Sequence, residues 1–160
     1  MITQLGDLFR YALRKDKAQE ISLTEELDFL QAFLQIYQTL MGKRLLVEWK
    51  IEPETLSALV PHLILQPLVE NSIRHGIAPL EQGGRIEICA KRRNERLVLQ
   101  VRDSGLGLAS QEIQTNGGVG LANTRARLKH LYGAAHRFDI ATVACEGTIV
   151  SIELPFQEQV

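Results

Sequence analysis

The sequence predicts an α/β fold, a β-sheet covered by helices, with two helices ahead of it. Three observations point there. A chain of 160 residues that is 45% hydrophobic can bury one sizeable core. Apolar residues recur at helical spacing along 22–41 and 61–76. Two runs, 85–92 and 96–102, alternate apolar and polar residues, as strands with one face on a core do.

In chain order, Leu5, Leu8, Phe9, Ala12 and Leu13 form one stripe and predict an amphipathic helix over 5–15. The polar stretch 16–21 reads as a linker. Ser22 and Glu25 have capping-box spacing, and the helix they open runs to about Met41, with Gly42 as its stop. Leu27, Leu30, Leu34, Ile36, Tyr37 and Leu40 give it a broad apolar surface, away from Gln31, Gln35 and Gln38. Residues 44–51 read as a strand ended by Pro53, and 54–60 as a short helical or irregular lead. Pro61 to Gly76 reads as one helix, with the proline at its start, the glycine at its end, and Leu65, Leu68, Val69 and Ile73 on its apolar stripe. Glu70, Asn71, Arg74 and His75 occupy its polar side, a set that can serve a metal and a phosphate or simply form a solvated edge. A loop over 77–84 leads to a hairpin, 85–92 and 96–102, turning at Arg93-Asn94-Glu95. A helix from about Gly117 to Tyr132 and strands 137–144 and 148–154 complete the chain, with a frayed tail from Phe156 to Val160.

Composition excludes several function classes. The net charge of −1 announces no strongly basic surface, so no nucleic-acid partner is expected, and Lys91-Arg92-Arg93 reads as the solvated edge of a hairpin. Cys89 falls in an expected strand and Cys145 directly after one, which favours reduced buried thiols. No Cys/His spacing suggests zinc. No apolar run approaches the roughly 18 residues that would span a bilayer, so the expected location is cytoplasmic.

Two glycine-containing stretches carry the remaining chemistry. Asp103-Ser104-Gly105-Leu106-Gly107 follows directly on a strand. There a carboxylate can accept a hydrogen bond while the glycines let backbone approach a flat ligand, although a plain turn looks the same. Residues 109–116 are polar and suit a mobile lid. Gly117-Gly118-Val119-Gly120-Leu121-Ala122-Asn123 then opens a helix, whose bare N–H groups make an anion site or a flexible connection. It is neither a Walker A loop nor a Rossmann fingerprint.

Taken together, Glu-Asn-x-x-Arg-His on a helix, Asp-x-Gly-x-Gly after a strand, Gly-x-Gly-Leu-x-Asn opening a helix and Gly147-Thr148 before a last strand form an ordered set. It resembles the ATP-binding domain of the gyrase, heat-shock chaperone, histidine kinase and MutL superfamily over roughly residues 44–155. More narrowly, Leu65-Gln66-Pro67-Leu68-Val69-Glu70-Asn71-Ser72-Ile73-Arg74-His75-Gly76 resembles the corresponding box of LytS-type sensor histidine kinases. Leu5 to Tyr11 and Leu23 to Leu27 resemble the segments that follow their phosphoacceptor helix. The resemblance implies a Bergerat-type two-layer sandwich, a mixed sheet with helices on one face. It implies a helical remnant of the dimerisation region at 1–42 and an ATP-binding domain at 43–160.

It further implies ATP and Mg²⁺ as ligands. Asn71 would hold the metal, and Arg74 and His75 would lie near the phosphates. Asp103 would read the adenine amine with Thr148 in support, and Gly105 and Gly107 would let the ring approach. Gly118, Gly120 and Leu121 would offer N–H groups to the phosphates, with Asn123 or Arg125 nearby. The implied setting is a homodimer that phosphorylates its own histidine, relays to a response regulator and is tethered to a membrane by a part outside these residues.

Two departures qualify this. Pro67 stands one turn before Asn71, where hydrolases of the superfamily carry a water-activating glutamate, so Glu70 is left to orient the acceptor or the metal shell. No phosphoacceptor motif occurs in the chain, and His62, His130 and His136 read as structural or capping residues. A GHKL-fold ATPase, an anti-sigma-type serine kinase and a catalytically silent interaction module remain as alternatives.

Overall fold

The structure is a computed structural model that describes residues 20–106, 118–143 and 146–158, with backbone alone at 118, 119 and 143. The helix expected over 5–15, the lid stretch 109–116, Gly107 and Cys145 lie outside the described residues.

Strand β1 (Glu20–Ser22) leads into helix α1 (Leu23–Met41). Ser22 caps α1 as its spacing predicts, its Oγ accepting from the Glu25 N–H at 3.3 Å. Gly42 ends it at φ 61°, a left-handed conformation that favours glycine. Strand β2 (Leu45–Ile51), strand β3 (Leu59–Pro61), helix α2 (Gln66–Asn71) and a π-helical turn (Ser72–Ile77) follow. Then come β4 (Gly84–Arg93), β5 (Arg96–Asp103), helix α3 (Gly118–Tyr132), β6 (Arg137–Val143) and β7 (Gly147–Pro155).

Five strands make one sheet in the order β2-β4-β5-β7-β6, in which β2 runs parallel to β4 and the other pairs are antiparallel. The crossover from β2 to β4 carries β3 and α2, as a parallel pair requires. The alternation in β4 and β5 resolves as read. Ile86, Ile88, Ala90, Leu97, Leu99 and Val101 are all buried and face the helices. Leu68, Val69 and Ile73 pack on them, together with Leu121 and Leu128 of α3 and Leu23, Leu30 and Leu34 of α1, in one cluster. The mixed sheet with helices on one face is thus the observed fold.

Four local expectations are corrected. The polar segment ending at Ile21 is not all linker, because Glu20–Ser22 pairs antiparallel with Leu59–Pro61 in a small second sheet. Pro61 does not open a helix but ends β3. The helix starts at Gln66, after a turn in which Leu63 takes φ 58°, and its proline near the N-terminus is Pro67. Leu40 is 63% exposed, whereas Tyr37 and Met41 of the same helix pack against the core. The tail is tied down through 158: Phe156 N–H donates to Glu95 O (2.8 Å), Leu59 N–H to Gln157 O (2.7 Å), and the Arg92 guanidinium lies over the Phe156 ring at 4.0 Å.

Glu26 is the one carboxylate of α1 with no exposure. Its Oε2 accepts from Leu63 N–H at 2.9 Å and its Oε1 from Leu65 N–H at 3.0 Å. Burial outweighs these bonds and the attraction of Arg127, and pushes its carboxyl up to about 7.

Candidate functional site

Asp103 ends β5 at the point where the loop leaves the sheet, and it is 3% exposed. Its Oδ1 accepts from the Gly105 N–H at 2.9 Å, and Ser72 and the Thr148 N–H also donate to the carboxylate. Burial nevertheless holds its carboxyl above the ordinary aspartate range. A carboxylate has about four lone-pair sites, so three internal donors fix the group and leave capacity for a donor from a ligand.

Backbone closeness around it explains the glycines. A Cβ on Gly76 would meet Asp103 Oδ1 at 2.7 Å, and one on Gly105 would overlap the backbone of Gly76. The loop also donates Leu106 N–H to Gly76 O at 3.2 Å. Gly105 is therefore required first by its packing on the π turn, a nearer cause than approach to a flat ligand. Thr148 lies directly across the β5/β7 ladder from Asp103, is nearly buried, and donates Oγ1–H to Thr142 Oγ1 at 3.1 Å. Gly147, at φ 108°, passes so close to the Asp103 carbonyl that no Cβ fits.

The π turn brings the box on α2 to this carboxylate. Its i→i+5 bond runs from Ala78 N–H to Ile73 O at 2.8 Å. Ser72, Ile73, Gly76 and Ile77 all turn inward, while Arg74 is exposed and His75 half-buried. Asn71 is half-buried at the end of α2, and its amide has no hydrogen-bond partner among the described residues. Glu70 is engaged: Gln66 Nε2 donates to its Oε2 at 3.1 Å, and Arg74 Nη1 lies 3.6 Å from its Oε1.

On the other side, the start of α3 faces α2. Among the described residues a Cβ on Gly120 would meet only Pro67 Cβ, at 3.8 Å, so the glycine-opened helix end and the Asn71 helix are neighbours. Gly118 begins α3, the Leu121 side chain enters the core and Asn123 is exposed. Arg125 is committed to β6, its guanidinium 4.8 Å from the Phe138 ring centre. The structure therefore assembles Asn71, Asp103, Gly105, Gly120 and Thr148 around one end of the sheet and sends Arg125 elsewhere.

Ser72, Gly76 and Gly147 carry no site role in the sequence reading. Gly76 reads as a helix stop and Gly147 as a turn, and only the register between distant segments gives them their contacts with Asp103. A separate concavity of about 490 Å³ shares Asp103 and Ser104, and its lining includes Arg85, Glu87 and Arg102. Those three residues alternate with the core positions of β4 and β5, so it opens on the helix-free face. Among the described residues no group of three or more His, Cys, Asp or Glu could hold a metal.

A mixed sheet, a glycine-opened helix and a buried strand-end aspartate define an ATPase-type nucleotide-binding fold, and comparison identifies it. The chain belongs to the histidine kinase-, DNA gyrase B- and HSP90-like ATPase family, whose model matches residues 57–158. A second family model, Histidine kinase, matches residues 1–45.

The chain is 29% identical over 159 residues to sensor histidine kinase BtsS of Escherichia coli strain K12, covering 99% of this chain and 28% of that protein. It is 30% identical over 167 residues to sensor protein LytS of Staphylococcus haemolyticus, with 97% and 28% covered. It spans only these 28% fractions of the curated relatives it matches. Among solved structures, the histidine kinase domain of the Erythrobacter litoralis EL346 blue-light activated kinase superposes with a TM-score of 0.66 at 18% identity, covering 96% of this chain and 72% of that one. The catalytic domain of histidine kinase ThkA superposes at 0.67 and 18%, with 85% and 93% covered. At these identities the superpositions establish the shared fold. No helix among the described residues is long and apolar enough to cross a membrane.

Proposed function

We propose that this chain is the ATP-binding catalytic portion of a LytS-type sensor histidine kinase. It directs the γ-phosphoryl of ATP to a histidine outside these 160 residues, for relay to an aspartate of a response regulator. The observation that carries the reading is the Asp103 carboxylate, which is buried, held by three internal donors and flanked by glycines, with acceptor capacity left for an exocyclic amine. Adenine presents such an amine, and guanine presents a carbonyl at that position. Thr148, across the ladder, supports the carboxylate from the neighbouring strand.

Asn71 fits a hard cation, since it offers an amide oxygen with no competing partner among the described residues. One such protein ligand suits Mg²⁺, which takes most of its shell from water and phosphate and, when bound, would neutralise phosphate charge during transfer. Arg74 and His75 follow Asn71 toward the phosphates. Gly118, Gly120 and Leu121, at the positive end of α3, would offer their N–H groups to the phosphates, with the exposed Asn123 near them. Glu70, tied to Gln66 and Arg74, serves as an orienting group, and Pro67 removes the position from which a hydrolase would activate water. Catalysis by this set is positioning plus electrostatics.

Residues 1–42 are read as the end of the dimerisation region and 43–160 as the nucleotide-binding domain, a division supported by family models that end at 45 and begin at 57. The intact protein then works as a homodimer, anchored to a membrane by a further segment. The test is calorimetric titration of the chain with a non-hydrolysable ATP analogue, with and without Mg²⁺, beside the Asp103→Ala variant. Saturable binding strengthened by Mg²⁺ and lost in a folded variant is expected. A folded wild-type chain that binds nothing overturns the reading in favour of an interaction module.

A further inference from the structure

The helix that carries Asn71 has no N-terminal cap of its own. Its flanking residue is Leu65, with no side-chain bond to the first turn, and 61–65 is Pro-His-Leu-Ile-Leu, without a Ser, Thr, Asp or Asn that could serve. The turn is nevertheless buried at Ile64 and Leu65 and passes through a left-handed residue, Leu63. Buried amides in such a turn must find acceptors. The acceptor comes from far away in sequence: Glu26 on α1 spans the turn with both oxygens, Oε2 to Leu63 N–H and Oε1 to Leu65 N–H.

The same carboxylate feels the positive charge of Arg127 on α3, the helix whose start borders the candidate site. Tyr132 at the end of α3 donates its hydroxyl to Glu20 Oε2 of β1 at 2.8 Å, and β1 in turn pairs with β3 just ahead of the turn. The turn is thus hydrogen-bonded to α1, and the strand just ahead of it is paired with β1, which α3 in turn holds through Tyr132.

We propose that Glu26 is a positioning residue of the nucleotide site: by bridging Leu63 and Leu65 it fixes where α2 begins and hence where Asn71 stands relative to Asp103 and the start of α3. An apolar residue at this depth would fill the same volume but leave two amides without acceptors. A serine or asparagine in the turn would cap the helix without tying it to α1. The carboxylate does both, so a displacement of α1 is transmitted to the Asn71 helix through two hydrogen bonds. The consequence for ligand affinity rests on the proposed function; the consequence for the geometry of α2 does not.

The experiment compares the wild type with Glu26→Gln, which keeps the volume but has one acceptor in place of two, and with Leu34→Ala. The latter opens a cavity elsewhere on α1, at a fully buried core position, and is expected to lower stability as well. Analogue affinity with Mg²⁺ and residue-resolved amide exchange are both read. Glu26→Gln is expected to bind the analogue at least ten-fold more weakly, to exchange faster at Leu63 and Leu65, and to shift the Asn71 signals. Leu34→Ala should keep its affinity within about two-fold. Equal affinity loss in both variants, or unchanged Asn71 signals in Glu26→Gln, overturns the proposal. If the wild type binds no analogue, the exchange and Asn71 signals still decide the point, which separates failure of this inference from failure of the nucleotide reading. Should Glu26→Gln not fold, Glu26→Asp, too short to span both amides, is judged by the same two signals.

Discussion

Replacing Gly76 by alanine tests the geometry of the site through a single methyl group. The new Cβ would stand 2.7 Å from Asp103 Oδ1, 3.0 Å from its Cγ and 3.3 Å from its Oδ2. An ordinary contact begins near 3.4 Å, so the carboxylate has to retreat by roughly 0.7 Å at the nearest oxygen. It cannot swing aside freely, because that oxygen accepts from Gly105 N–H at 2.9 Å and the group is buried. Overpacking of this kind costs about 1–3 kcal/mol, and weakening one buried hydrogen bond adds about 1 kcal/mol. Against this, alanine is the better helix former by roughly 0.5–1 kcal/mol. The expected net loss is about 1–3 kcal/mol, read as a lower urea midpoint at unchanged slope, with weaker ATP-analogue binding because Asp103 has moved. For stability, Gly120→Ala is the matched control, its Cβ meeting only Pro67 Cβ at 3.8 Å among the described residues. A Gly76→Ala protein as stable as the wild type, with wild-type affinity, would refute the described contact between Gly76 and Asp103.

The control carries its own prediction: Gly120→Ala should gain about 0.5–1 kcal/mol of stability yet bind the analogue more weakly in calorimetry, and unchanged affinity would remove Gly120 from the phosphate side. Asn71→Ala should abolish the Mg²⁺-dependent gain in affinity while shifting stability by less than about 0.5 kcal/mol, since that amide has no partner to lose among the described residues; a melted protein would count against the assignment. Asp103→Ala should erase the preference for ATP over GTP analogues and cost about 1–3 kcal/mol, because Gly105 N–H and Ser72 lose their acceptor. Glu26, raised from 4.5 to about 7 by burial, binds its proton more tightly in the folded chain than in the unfolded one. Its contribution to stability is therefore complete below pH 4.5 and lost as the pH rises to 7, a change of about 3 kcal/mol. Arg127, the charged group that faces it, stays protonated over this window, so the difference in stability between wild type and Glu26→Gln should move by that amount between pH 4.5 and 8. A constant difference would contradict the titration.

Much of the fold is legible because its signals are local. Ser22 and Gly42 bracket α1 within the chain's own turns, and the two-residue period of Ile86-Ile88-Ala90 and Leu97-Leu99-Val101 gives the hairpin. Asp103 and Asn71 stand in recognisable surroundings. What escaped depends on partners distant in sequence. β1 and β3 are three residues each, too short for a period to show, and exist because they pair with each other. The start of α2 moved from Pro61 to Gln66 because its cap sits on α1. The π turn leaves no compositional trace, so Gly76 read as a stop when it is a contact surface. Leu46 and Trp49 are more exposed than their apolar character suggests because β2 lies at the sheet edge.

The strand order has a kinetic consequence. The β4/β5 and β6/β7 pairs are hairpins between consecutive strands and can close early, whereas β5 meets β7 only after the chain between them, including α3, has been folded back. Asp103 and Thr148 sit at the end of that last, slow junction. Nucleotide affinity should therefore emerge late in refolding, after most of the helical signal has returned, and ligand binding would report completion of the sheet better than spectroscopy does.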